Sequence, residues 1–152
     1  MRRLDPQRLL AAVNEQRARL GGPSWAGPLT PDALGDGCVA AVAEALDAGL
    51  PPCQEALRAA AMRLLDLLAA RAPGHAVEVR VPPFAAIQCV EGPRHTRGTP
   101  PNVVETDPAT WIRLGTGRLA WASAAADGLI RASGPRADLA AYLPLRSGGG
   151  PG

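Results

Sequence analysis

The chain has no lysine. All sixteen of its basic residues are arginine, set against fourteen Asp and Glu for a net charge of +2. The arginines are scattered and form no basic stripe, which argues against a nucleic-acid partner. Arginine pairs with carboxylates and phosphates in a bidentate way that lysine does not. Its uniform use here, however, reads as the bias of an Ala-, Gly-, Pro- and Arg-rich composition rather than as a site. Aromatic residues are equally scarce: one Phe, one Tyr and three Trp. There are two histidines and three cysteines, Cys38, Cys53 and Cys89. The odd cysteine number, the lack of a CxxC pair and the spacing fit no disulfide framework or zinc site. Buried thiols in a reduced, cytoplasmic protein are expected. The start, Met1 to Pro6, carries charges with no apolar run behind them, unlike a secretory signal. No apolar run approaches the length of a membrane span. A soluble protein with no integral membrane association is expected. Grouped carboxylates, a Ser-His-Asp arrangement and a phosphate-cradling glycine loop are all missing. No cofactor or metal is implied, and a stand-alone enzyme is disfavoured.

What is present is apolar and small. The chain has 152 residues, of which 47% are hydrophobic, most of them alanine, leucine and valine. This is enough for one domain with a real core. Small side chains let helices approach closely but fill space poorly, so a fold built from them has room for a void. Close packing is nonetheless the default for any interior.

Asp5-Pro6 has the form of a helix start, an N-cap followed by proline at the first helical position. Leu9, Leu10, Val13 and Leu20 then give a helical stripe that Gly21-Gly22 stops. Gly22 to Gly37 reads as a loop with a turn after Thr30-Pro31. A second helix is predicted over Gly37 to Ala48. The strongest helical signal is Gln54 to Ala70, where Leu57, Ala61, Leu64, Leu65 and Leu68 repeat on one face. The period then becomes two: Val77, Val79 and Val81 alternate with Glu78 and Arg80, as in a half-buried strand. Phe84 to Val90, Asn102 to Thr106 and Leu129 to Ser133 read as further strands. Asp107-Pro108 repeats the capping pattern ahead of Trp111, Ile112 and Leu114. A short helix with Leu119, Trp121 and Ala124 follows, and a last helix is predicted around Leu139, Tyr142 and Leu143. Strands followed by helices that return to a final strand indicate an α+β layered domain with a largely antiparallel sheet.

Several segments resemble the C-terminal half of sterol-carrier-protein domains. They are Thr106-Asp107-Pro108, Trp111, Leu114, Thr116-Gly117-Arg118-Leu119, Ala125, Gly128 to Gly134, and Leu139 to Leu143. The wider stretch Val77 to Leu145, with Pro82-Pro83-Phe84 and Gln88 to Gly98, resembles the bacterial, actinobacterial-type orthologue group of that family. The resemblance implies a mixed, largely antiparallel sheet of about five strands covered by helices. It also implies an apolar tunnel between sheet and helices that takes a fatty acyl chain, sterol or other lipid. The chain divides on this reading into an N-terminal helical extension, 1–53, a sterol-carrier-like domain, 54–145, and a disordered tail, 146–152. The ending Gly150-Pro151-Gly152 differs from a peroxisomal address.

The resemblance places Trp111, Ile112, Leu114, Leu119, Trp121, Leu129, Leu139 and Leu143 on elements that wall the tunnel. Read without it, each is a packing residue at helical or strand spacing. Arg94, His95 and Arg97, with Glu105 nearby, form a second candidate, a polar site for a lipid head group or a protein partner. The plain alternative is a solvated hairpin tip with weak surface ion pairs. Two functions follow. One is a non-catalytic carrier for a hydrophobic small molecule. The other is an accessory module, related to the half-domain found in thiol-dependent isomerases, that binds a protein partner and no lipid of its own.

Overall fold

A computed structural model describes residues 4–93 and 101–145. Helix α1, Pro6–Arg19, begins as the sequence indicates: Asp5 Oδ1 accepts from Arg8 N at 3.0 Å. Helix α2, Pro31–Asp47, starts well before Gly37, with Thr30 Oγ1 accepting from Ala33 N at 3.2 Å. Its early glycines are not loop residues. A Cβ on Gly35 would press 3.2 Å from the Arg63 side chain, and one on Gly37 would run 2.6 Å from the Trp25 ring. These glycines give up helix propensity so that two bulky groups can lie against the helix.

Helix α3, Gln54–Arg71, is the centre of the molecule and packs on α1, α2, the sheet and a later helix. Alanines 56, 59, 60 and 61 and leucines 64, 65 and 68 are all buried on it. Each fully buried leucine contributes roughly 1.5–3 kcal/mol. Helices α1 and α2 share one hydrophobic core with α3 and the sheet. Polar contacts hold the same interfaces. Arg63 Nε donates to Asp36 Oδ1 at 2.7 Å, and the buried Gln16 Oε1 accepts from Cys53 N at 2.8 Å.

The chain then forms β1, Val77–Val81, and β2, Ala85–Cys89, an antiparallel hairpin. Strand β3, Val103–Thr106, returns to the other side of β1 and pairs parallel to it, with Val79 opposite Val104. Strand β4, Ile130–Ser133, pairs antiparallel to β3. Among the described residues the sheet therefore has four strands in the order β2-β1-β3-β4, with mixed pairing, rather than about five. The Gly/Pro-punctuated connection after β2 adds no strand among its described residues. Val77, Val79, Val81, Val104 and Thr106 are buried beneath the helices, while Glu78, Arg80, Glu105 and Arg131 lie on the opposite face. Asn102, buried ahead of β3, ties the segment before β1 to the turn after β4: its Nδ2 donates to Ala76 O at 2.8 Å and its Oδ1 accepts from Arg136 N at 2.9 Å.

Two short helices lie between β3 and β4: α4, Pro108–Gly115, and α5, Trp121–Ala126. The last helix predicted around Leu139 is only a single 3-10 turn, Ala140–Tyr142. Pro144 disfavours helical geometry at Leu143. With Pro135 close upstream, too little chain remains for an α-helix. The tail from Arg146 lies outside the described residues. No helix among the described residues is long and apolar enough to cross a membrane.

Candidate ligand-binding cleft

Helix α4 is fixed at both ends. Asp107 caps it, with Oδ1 accepting from Thr110 N at 2.9 Å and Oδ2 from Thr110 Oγ1 at 2.7 Å. Trp111, fully buried, donates through Nε1 to Ala61 O of α3 at 3.1 Å and sets the depth at which α4 lies. At the other end, Gly117 N donates to Leu114 O at 3.3 Å and Arg118 N to Arg113 O at 2.9 Å. That pair of bonds is a Schellman stop, with Gly117 in the left-handed region at φ +79°. Arg118 Nε then reaches Asp47 Oδ2 at the end of α2, 2.8 Å away. Thr116-Gly117-Arg118-Leu119 is thus a helix stop tied to a second helix. It leaves Leu119 beside Trp121, both half-buried at the edge of the core.

Facing this stop is a strap that follows β4. Leu139 and Leu145 are buried at its two ends, and the backbone between them lies near the surface. Leu145 N donates to Gly115 O at 2.8 Å. Arg71, the last residue of α3, donates through Nη1 to Tyr142 O at 2.8 Å and to Pro144 O at 2.7 Å.

Between stop and strap lies a cleft of about 520 Å³, walled by Leu114, Leu119 and Trp121 on one side and Ala140, Leu143 and Pro144 on the other. This volume is in the range of small-molecule sites, roughly 300–1,000 Å³. No ionisable side chain is among its described lining residues. The Thr116 hydroxyl is already bonded to Ile112 O at 2.7 Å. Such a lining can desolvate an apolar chain.

The eight apolar candidates separate. Leu114, Leu119, Trp121 and Leu143 come together on the cleft. Trp111, Ile112 and Leu139 are core residues with no exposure, and Leu129 is 40% exposed. Of the polar candidates, Arg94, His95 and Arg97 lie outside the described residues. Glu105 sits on the solvent face of the sheet, 4.0 Å from Arg131. Ala120, Ala140, Pro144 and Arg71 were missed by sequence reasoning. Alanine and proline in short segments carry no periodic signal, and Arg71 looks like any helix-terminal arginine.

The remaining chemistry-bearing groups are quiet. Burial pushes the Cys38 thiol up to about 12 and the Cys89 thiol up to about 11, so both are neutral and unreactive near neutral pH. His75 Nδ1 lies 2.8 Å from Gln88 Oε1 at the surface. Among the described residues no group of three or more His, Cys, Asp or Glu is placed to hold a metal.

A family model described as bacterial SCP ortholog matches residues 54–145 of the chain. A search of curated proteins finds no match. The matched span runs from the start of α3 to Leu145 and contains every residue that lines the cleft.

Proposed function

The chain belongs to the bacterial SCP ortholog family, and on that premise we propose that it is a non-catalytic carrier that holds a hydrophobic ligand in the cleft between the α4 stop and the strap. The observation behind this reading is the apolar cleft of about 520 Å³ with Leu119, Trp121 and Leu143 half-buried on its walls. Half-buried leucine and tryptophan around a void are sites where a ligand completes the burial. Each methylene of an acyl chain removed from water contributes about 0.8 kcal/mol. A fatty acyl chain or a similarly slender lipid suits a cleft whose described lining residues are mainly apolar and carry no charged side chain. The proposed lining is Leu114, Leu119, Trp121 and Leu143. Helices α1 and α2 serve as a fixed cover on α3, the carrier unit is 54–145, and the proposed place of action is the cytoplasm.

Native mass spectrometry of the freshly purified protein, with organic extraction of bound material, tests this directly. A discrete extra mass that releases an apolar compound supports the carrier. A clean apo mass, with no binding of a dansyl-labelled fatty acid, overturns it. Leu119→Asp is expected to abolish uptake of that probe while the far-UV circular dichroism is unchanged. Uptake at the parental level would move the ligand out of this cleft.

A further inference from the structure

The two walls of the cleft are held in different ways. The wall bearing Leu119 and Trp121 is fixed by the Schellman bonds of α4 and by the Arg118–Asp47 contact. The opposite wall, Ala140 to Pro144, has its own internal turn bonds, Tyr142 N to Leu139 O at 2.9 Å and Leu143 N to Ala140 O at 3.3 Å. Among the described residues, the hydrogen bonds that tie the strap to other elements are the two from Arg71 to Tyr142 O and Pro144 O and, at its far end, Leu145 N to Gly115 O. We propose that Arg71 is a latch: its guanidinium holds the strap shut against the cleft, and breaking its two bonds lets the strap swing away and ligand exchange. This rests on the cleft being the ligand site and adds how the ligand enters and leaves.

The chemistry of the contact suits a latch. Arg71 is exposed, but it is rooted at the end of α3, whose last turns are anchored by Leu64, Leu65 and Leu68. The base of the latch is therefore rigid while its tip reaches water. A cation donating to two main-chain carbonyls makes stronger bonds than neutral partners do. Solvent at the tip keeps those bonds breakable. The strap side offers only main-chain carbonyls to this contact, so substitution at residue 71 removes both bonds and leaves the strap's own side chains intact. Once the bonds break, Leu143 and Pro144 leave the wall and Leu145 N loses its support against Gly115 O. The Leu145 amide is thus a reporter of strap opening that needs no ligand.

The experiment compares the parent with Arg71→Ala and Arg71→Lys. Hydrogen exchange is read at the Leu145 amide and at the Leu68 amide in the core. Association and dissociation of the dansyl-labelled fatty acid are read by stopped flow. Arg71→Ala is expected to raise Leu145 exchange about tenfold with Leu68 unchanged. Association and dissociation rates should rise by a similar factor, so that the affinity stays nearly constant. Arg71→Lys, which keeps a cationic donor, should fall between the two. Unchanged Leu145 exchange overturns the latch, as does an equal rise at Leu68, which marks general loosening. A weaker affinity with no rise in association rate overturns it too, because that pattern belongs to a merely structural arginine. Should the parent take up no probe, the carrier reading fails, and the Leu145 exchange in the variants still decides whether Arg71 holds the strap.

Discussion

The α2–α3 interface and the α4–α5 end of the molecule are built from similar apolar residues and pack to opposite results. Along α2 and α3, alanines and glycines bring the helices together, and the gap beside Gly35 and Arg63 is about 50 Å³. Around α4 and α5 the lining mixes Leu114, Leu119, Trp121 and Leu143 with Gly117, Ala120, Ala122 and Ala140, and a cleft of about 520 Å³ remains. Small side chains therefore occur in the tight interface and on the cleft alike, and the length of the segments separates the two regions. Long, uninterrupted helices with small faces close on one another. Short segments stopped by Gly117, Gly128 and Pro144 cannot lie side by side, and the leucines and tryptophan between them stay half-covered.

The largest expected effect tests whether α4 belongs to the dense side. Trp111→Ala removes a fully buried indole and its bond to Ala61 O, and should cost about 3–5 kcal/mol in denaturant unfolding. A loss below about 1 kcal/mol would mean that α4 is loosely held and the contrast fails. The next effect is alkaline. Unfolded thiols ionise near pH 9, while Cys38 and Cys89 stay protonated to about 12 and about 11 when folded. The folded state thus binds more protons above pH 9, and stability falls as pH rises through that window. By about pH 10 each thiol should have removed about 1.4 kcal/mol, and Cys38→Ala should flatten the slope. A flat profile would show water reaching the α2 interior. The smallest effect is a matched pair. Ala60→Leu, in the dense interface, should cost about 1–3 kcal/mol by overpacking. The same enlargement at Ala140, on the cleft wall, should change stability by under about 0.5 kcal/mol. Equal costs would erase the distinction between the two regions.

How much of this was legible follows from the kind of signal each part carries. Asp5-Pro6, Asp107-Pro108 and the α3 stripe encode local geometry, and those elements appear where the pattern puts them. The alternation of Val77, Val79 and Val81 marks the strand that the others flank. Gly35 and Gly37 misled because their purpose is to admit Arg63 and Trp25, partners far away in the chain. The final helix failed for the opposite reason: the apolar spacing was present, but Pro144 overrode it. For the site, periodicity identified apolar faces and nothing more. It could not tell Trp111 and Ile112, which meet protein, from Leu119 and Trp121, which meet a cleft, because a void leaves no pattern in the residues around it.

The Asn102 clasp carries a consequence for the order of folding. Its two bonds join points 26 and 34 residues apart in the chain. Such closures come after the local contacts of the three helices and the β1–β2 hairpin, since the chain must lose the entropy of long loops before the clasp can form. On that order the clasp is expected to be unformed in the folding transition state and made only in the finished sheet. Its strength sets how long the molecule stays folded rather than how quickly it gets there. A chain with Ala at position 102 would refold at the parent's pace and unfold much sooner.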